Sequence, residues 1–579
     1  MDAKGEMEKQ ISFLYRDTGK DPEAKVLIDQ VLARHRDGLR NTDAHRKGSE
    51  PTLLSEGDVF LITYGNTLEG RTGEVPLAAL RRFAERRLSG VISYIHILPF
   101  FPFSSDDGFS VMDYRAVDPD LGGWEEVGAL GKNFRLVFDL VINHASSQGI
   151  WFQGFLKGDP KYEGWFLTRP KGYDASRVVR PRTHPLLTPY VRTDGSRVHV
   201  WTTFSEDQVD LDFSDPEVLA EMLDVFLDYV EKGARIVRLD AIAYLWKEDG
   251  HPCLHHPRTH AVVKLFRAVV DALELDVRLL TETNVPHPEN VAYFGSGDEA
   301  HLVYNFALPP LTLHAFATGD ASHLSAWAQD LRAPSGCAFL NFLASHDGIG
   351  LTPARGLVDE AAFRQTLDKA LRRGCLISYK ATPDGPVPYE LNASWFDAIA
   401  DPDLPEDLRI QAHLASHAIA ASLDGMPAVY IHSLLGTPNW AEGPVVRGYN
   451  RAINRRVLDL NTVESTFKDP GSRPSRCLSG FRSLYSCRGR EPALAPGAPS
   501  RVLSRDGPVF SILRGGPEKR ILCAVNVSPR PARFETGTNL GLPGRPYDPI
   551  TGEVISWPCG SAYLDLPPYG VIWLPLDPP

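Results

Sequence analysis

Four short segments carry residue types suited to acid, base or nucleophilic chemistry, and each closes an apolar run. They are Asp139-Leu140-Val141-Ile142-Asn143-His144, Arg238-Leu239-Asp240, Thr281-Glu282-Thr283 and Ser345-His346-Asp347. An acid directly after a buried strand sits at the end of a sheet, where a substrate can reach it. One such acid would serve equally well as a helix N-cap. Asp240, Glu282 and Asp347, on three separate runs, place three acids around one mouth. Alternate side chains of a strand share a face, so Arg238 is expected to lie beside Asp240, depress its pKa and hold it ionised. A carboxylate held ionised suits a nucleophile. Glu282 then becomes the acid/base, which requires surroundings apolar or anionic enough to keep its proton. Such a pair, about 5–5.5 Å apart, cleaves glycosidic bonds with retention. Asp347 is a third acid, suited to gripping sugar hydroxyls and stabilising an oxocarbenium-like transition state.

The elements that must position these residues are legible in the pattern. From Asp58 onward, apolar or β-branched runs alternate with amphipathic helical stretches, which predicts a parallel sheet with crossover helices. The runs fall at 59–64, 91–98, 134–141, 234–239, 277–281, 300–304, 338–344 and 428–431. Eight of them favour an α/β fold of the (β/α)8 barrel type over a doubly wound sheet. We place the catalytic barrel at 53–490. The stretch 146–212, rich in Pro, Gly, Arg and aromatics, is too long for an ordinary loop and predicts a lid subdomain inserted after the third strand. Residues 1–52 predict an N-terminal helical extension, with Met7, Ile11, Leu14 and Tyr15 and then Val26, Leu27, Val31 and Leu32 at helical spacing. The charged stretch 35–50 reads as its connector. Residues 491–579 are turn-rich, with strand runs at 508–513, 520–527, 532–535 and 569–576, and predict a C-terminal β-sandwich.

With 579 residues, 43% hydrophobic and 23% charged, the composition is that of a folded, multi-domain chain. The net charge of −12 disfavours a nucleic-acid partner. No apolar run is long enough to span a membrane, and the first residues lack the pattern of a secretion signal. The seven cysteines, Cys253, Cys337, Cys375, Cys477, Cys487, Cys523 and Cys559, show no CxxC spacing, which predicts reduced thiols and a cytoplasmic protein rather than disulfides or zinc. Gly295-Ser296-Gly297 lacks the spacing of a nucleotide-binding loop.

In order and spacing, the four segments resemble the signature regions of the α-amylase superfamily, glycoside hydrolase family 13. Ile95-His96-Ile97-Leu98-Pro99-Phe100-Phe101-Pro102, Ser104-Ser105-Asp106-Asp107-Gly108-Phe109-Ser110 and Val209-Asp210-Leu211-Asp212 are similar to the sucrose phosphorylase group within it. The resemblance implies Asp240 as nucleophile, Glu282 as acid/base and Asp347 as transition-state stabiliser. It implies that Asp106, His144, Arg238, His346 and Arg455 hold a glucosyl unit, that Phe109 and Phe204 wall it, and that Gln208 and Tyr244 lie nearer the acceptor. It further implies double displacement with inorganic phosphate as acceptor, giving α-D-glucose 1-phosphate, with Arg182 in the basic run Arg180–His184 contacting phosphate. Pro181 and Pro185 would stiffen that run.

Three features are similar to the glucosylglycerate phosphorylases of this group: the continuation Pro185-Leu186-Leu187-Thr188-Pro189, the acceptor segment Pro388-Tyr389-Glu390-Leu391-Asn392, and the helical extension. They imply D-glycerate as the non-glucosyl product, with Tyr389, Glu390 and Asn392 on the acceptor side and Glu390 binding hydroxyls rather than the carboxylate. Sucrose, sucrose 6′-phosphate or glucosylglycerol phosphorylase, and a hydrolase or transglucosylase, remain alternatives. Asn143 corresponds to a calcium ligand of many amylases, but the sucrose phosphorylase relatives do without that metal, so neither metal nor cofactor is expected. The chain is expected to act as a monomer or homodimer.

Overall fold

Strands that are apolar on both faces need cover on both sides, and a closed parallel barrel ringed by helices supplies it. The computed structural model describes residues 2–45, 54–182, 184–382, 385–536, 547–554 and 563–576. It closes eight parallel strands into a barrel: β1 (Phe60–Thr63), β2 (Tyr94–Ile97), β3 (Arg135–Val141), β4 (Ala234–Asp240), β5 (Arg278–Thr281), β6 (Leu302–Tyr304), β7 (Ala338–Asn341) and β8 (Met426–Tyr430). Each pairs with its sequence neighbours, and β8 returns to β1. Several strands are shorter than their apolar runs. The run 338–344, for example, leaves the sheet after Asn341, and its remainder belongs to the mouth. The β3–β4 register sets Asp139 opposite Arg238 and Val141 opposite Asp240.

Two insertions stand over the C-terminal mouth. The stretch 146–212 holds a helix, Ile150–Lys157, and a hairpin of Leu187–Val191 with Arg197–Trp201. His144–Ser146 pairs with Gln208–Asp210 and closes its base. Leu167, Leu186, Trp201 and Cys253 form a small separate core under it. The second insertion is a hairpin of Leu376–Thr382 with Gly385–Asn392, so the predicted acceptor segment is a strand rather than a free loop.

The C-terminal region forms a four-stranded antiparallel sheet and a separate two-stranded one. It is tied to the barrel by Arg488, whose fully buried guanidinium donates to the carbonyls of Ala421, Gly425 and Leu494 at 2.9–3.1 Å. Among the described residues six cysteines are free thiols, and Cys559 lies outside them. No helix among the described residues is long and apolar enough to cross a membrane.

The extension is two helices, α1 (Ala3–Tyr15) and α2 (Asp21–Arg40), laid against the barrel helices α3 (Pro216–Glu231) and α4 (Pro257–Ala272). The buried stripe of α2 is Ala24, Ile28, Val31, Leu32, His35 and Leu39. Val26, expected inside, is 55% exposed, because the stripe starts two residues earlier than its β-branched residues suggest. The stripe also carries the helix through 35–40, which the charge pattern assigned to a connector; residues 46–50 of that connector lie outside the described ones. His35 takes an apolar position because two acids meet it. Its Nδ1 lies 2.9 Å from Glu231 and its Nε2 3.1 Å from Asp224, while Arg34 and Arg115 also bind Asp224 and Arg115 binds Glu221. Burial opposes the imidazolium, but the two carboxylates prevail and raise the His35 pKa above 6.5. A raised histidine pKa stabilises the fold fully below the unfolded value and loses that contribution as pH rises through the folded one. Between about pH 6 and about pH 9 the melting temperature of the wild type should therefore fall further than that of His35→Gln. Parallel falls in a thermal melt would remove His35 as the source.

Candidate active site

The floor of the mouth is a buried ion chain. Asp139 on β3 accepts from His96 Nε2 on β2 at 2.7 Å and from Arg238 on β4. Burial pulls the Asp139 carboxyl upward, yet Arg238 and His96 hold it down to about 2. The same Arg238 nitrogen donates to Asp240 Oδ1 at 2.8 Å. Phe109 and Tyr304 lie against the guanidinium, 5.6 and 5.7 Å from its carbon. His346 stacks on Phe109 at 4.8 Å and 5°. Directly after Asp240 the chain turns through Ala241 with φ 50°, and the Ala241 N–H donates to Glu282 Oε2 at 3.1 Å. A left-handed conformation costs an alanine roughly 1 kcal/mol. Here it brings the ends of β4 and β5 together.

The electrostatics of the acids depart from the expectation in one respect. Burial raises Asp240, and although Arg238 lowers it, Glu282, Asp139 and Asp347 add to the rise, so its net displacement is upward. Glu282 is also raised, by burial first, then by Asp347 against the pull of Arg238. The two carboxyls titrate as a pair. Arg238 touches Asp240 directly, whereas Glu282 receives only a backbone N–H, so the contacts favour the ionised form at Asp240 more than at Glu282. Asp347 differs: burial opposes its charge, but Arg451 at 2.5 Å, His346 at 3.5 Å and Arg455 at 3.6 Å hold it well below the usual carboxylate range.

The remaining predicted residues fall into three groups. His144 donates from Nε2 to the Phe109 carbonyl at 2.9 Å, and burial lowers its pKa, so it is a neutral ring. Gln208 Nε2 reaches Asp106 Oδ2 at 3.2 Å, and Phe204 packs between His144 and Tyr244 at 5.3 Å from each. On the open side, Arg182 lies 5.9 Å from the centroid of the Tyr389 ring. Burial raises the Tyr244 hydroxyl, with Tyr389 and Glu282 adding to the rise and Arg182 opposing it, which places those three groups within electrostatic reach of Tyr244. His184 donates to the Thr202 carbonyl at 2.9 Å.

Two predicted residues are otherwise engaged. Glu390 is buried, with both oxygens taken by Arg451 at 2.9 and 3.1 Å and one also by the Gly348 N–H at 3.1 Å, so its carboxylate is committed to Arg451 rather than left for acceptor hydroxyls. Asn392 is fully buried and its amide nitrogen donates across the hairpin to Ser378 at 2.9 Å, while its Oδ1 has no hydrogen-bond partner among the described residues.

Residues not singled out from the sequence complete the mouth. Asp107 binds Arg455 at 2.8 Å and accepts from Tyr449. Asp207 gathers Ser105, Ser110 and Ser147 at 2.5–2.8 Å, fastening the Asp106–Phe109 turn to the lid. Lys247, 3% exposed, donates to Asn143 Oδ1 and pairs with Asp210, both at 2.7 Å. Thr203, next to Phe204, also donates to Asp210 at 2.6 Å. A buried ammonium thus joins the ends of β3 and β4 to the lid.

Comparison with known proteins sets this arrangement in a family. Residues 90–347 match the family model described as alpha amylase, catalytic domain. The chain is 48% identical over 533 residues to a glucosylglycerate phosphorylase of Spirochaeta thermophila, covering 91% of this chain and 90% of that one. The chain belongs to the glucosylglycerate phosphorylase family. A second member, from Allomeiothermus silvanus, is 46% identical over 525 residues, covering 90% of this chain and 91% of its own. Among solved structures, sucrose 6F-phosphate phosphorylase from Thermoanaerobacter thermosaccharolyticum superposes with a TM-score of 0.72 at 26% identity, over 83% of this chain and 96% of that one. The barrel expected from the strand pattern is therefore the fold of this family. Among the described residues no cluster of three or more His, Cys, Asp or Glu is arranged to hold a metal ion.

Proposed function

We propose that this chain catalyses the reversible phosphorolysis of 2-O-α-D-glucosyl-D-glycerate to α-D-glucose 1-phosphate and D-glycerate, with retention. What carries the reading is the convergence of Asp240, Glu282 and Asp347 on one barrel mouth, beside Arg182, in a chain of this family. Asp240 attacks the anomeric carbon while Glu282 gives its proton to the departing glycerate oxygen, leaving a β-glucosyl ester on Asp240. Phosphate then attacks that ester, Glu282 accepts the proton released, and the product leaves with its α configuration. Asp347, held ionised by Arg451 and Arg455, faces the positive charge that develops on the sugar ring. Asp106, His144, Arg238, His346 and Arg455 hold the glucosyl unit between Phe109 and Phe204, with Gln208, Tyr244 and Tyr389 toward the acceptor. Glu390 acts at one remove, by fixing Arg451 against Asp347.

No cofactor enters this chemistry. Asn143, the residue that corresponds to a calcium ligand in amylases, gives its side-chain oxygen to the Lys247 ammonium, which supplies the positive charge at that place. We place the activity in the cytoplasm, with small molecules as its partners.

The test is phosphate release from α-D-glucose 1-phosphate with D-glycerate, D-fructose, D-fructose 6-phosphate, glycerol or no acceptor. Release that depends on D-glycerate is expected. A preference for either fructose compound would move the chain to a sucrose-type phosphorylase, and acceptor-independent release would make it a hydrolase.

A further inference from the structure

The cations deep in the mouth are all neutralised. Arg238 serves Asp139 and Asp240, Arg451 serves Asp347 and Glu390, and Arg455 serves Asp107. On the open side the situation reverses. Lys380, on the first strand of the inserted hairpin, brings its ammonium to 5.9 Å from the centroid of the Tyr389 ring, the same ring that Arg182 approaches to 5.9 Å from the lid. Neither cation forms an ion pair with an acid among the described residues. Burial lowers the Lys380 pKa, and the charge of Arg355, another cation, adds to the fall. A half-buried ammonium with no acid paired to it favours the arrival of an anion.

We propose that Lys380 is the specificity-determining residue for a carboxylate on the acceptor, gripping the carboxyl group of a small 2-hydroxy acid while Arg182 serves the oxygens nearest the reacting bond. The inference deepens the function proposed above and rests on it. Arg182 acts electrostatically on Tyr244, as Glu282 does, which sets it beside the acid/base, and Lys380, paired with Val387, stands nearer the hairpin tip than Tyr389, so we take Lys380 as the outer of the two. Phosphate oxygens lie two bonds from the oxygen that Glu282 protonates. Carboxylate oxygens of a 2-O-glucosylated hydroxy acid lie three bonds from it, so the longer acceptor reaches toward the outer cation. A single ammonium without a fixed fork tolerates that rotating group.

The experiment compares D-glycerate with glycerol, which replaces the carboxylate by a hydroxymethyl group, as acceptors for α-D-glucose 1-phosphate in wild type, Lys380→Met and Lys380→Arg. Losing one hydrogen bond to a charged group is expected to cut the kcat/KM ratio of D-glycerate over glycerol by roughly 10–100-fold in Lys380→Met, mostly through KM. Lys380→Arg should recover most of that ratio. An unchanged ratio in Lys380→Met, or one that Arg fails to restore, overturns the role of Lys380. A wild type that does not favour D-glycerate at all fails earlier, at the proposed function, and so the two failures are distinguishable. A thermal melt of Lys380→Met beside wild type separates lost folding from lost recognition.

Discussion

Asp240→Asn should lose on the order of 10⁴-fold or more in turnover in both reaction directions, the scale seen when a covalent enzyme loses a group that forms its intermediate. The substitution keeps the shape of the side chain and leaves Arg238 its partner Asp139, so the floor of the mouth survives. What it removes is the carboxylate that forms the ester. The same variant should melt at or above the wild-type temperature near neutral pH. Burial, Glu282 and Asp347 raise the Asp240 carboxyl, which means that its ionised form opposes folding at pH 7 and a neutral amide does not. Inactivity with undiminished thermal stability is therefore the expected pair of results. Turnover within tenfold of wild type would sink the covalent route. A sharp fall in melting temperature would show instead that the ion chain through Arg238 needs Asp240 to hold together.

Glu282→Gln should discriminate between leaving groups. Glycerate departs as an alkoxide unless it is protonated, while phosphate departs readily as an anion. Cleavage of the glycerate glucoside should therefore fall by about 10²–10⁴-fold, the usual worth of a general acid, and glucosyl transfer from α-D-glucose 1-phosphate to the enzyme by much less. Equal losses with both substrates would mean that Glu282 supports the site rather than donating a proton. The pH profile offers a second reading. Burial and Asp347 raise the Glu282 carboxyl, so its acid form persists above the ordinary carboxylate range, and wild-type activity should decline as pH rises through that raised value. In Glu282→Gln that alkaline limb should vanish, because the group whose deprotonation causes it is gone.

The acids of this site could be found in the sequence because local rules carry them. A buried strand reads as an apolar run, and a barrel gathers the residues at the C-terminal ends of its strands around one mouth. Asp240, Glu282 and Asp347 need no knowledge of distant segments to be suspected. Their neighbours do. Asp107 and Arg455 stand 348 residues apart, Asn143 and Lys247 104, and no periodicity links either pair. Which of Asp106 and Asp107 meets Arg455 is not legible either, since they are adjacent carboxylates in a turn where both have positive φ. The hairpin at 376–392 escaped for a related reason: Pro386 and Pro388 interrupt the strand pattern, and pairing with the opposite strand, rather than propensity, makes it extended. Val26 of α2 misled because a β-branched residue looks like a core residue, while the docking face of a helix is set by the surface it meets.

The sequence by itself determined the class of fold, since that depends on short apolar runs, and it singled out three carboxylates as the residues that end them. Only the tertiary structure decided how those carboxylates are charged. Arg238 alone would depress Asp240; burial together with Glu282, Asp139 and Asp347 reverses the sign. It likewise decided that Glu390 is spent on Arg451, that Lys247 sits where Asn143 offers an oxygen, and that Lys380 and Arg182 each come to 5.9 Å from the Tyr389 ring centroid with no acid paired to either among the described residues. Electrostatic energy depends on distance and on the exclusion of water, and chain order specifies neither until the barrel closes.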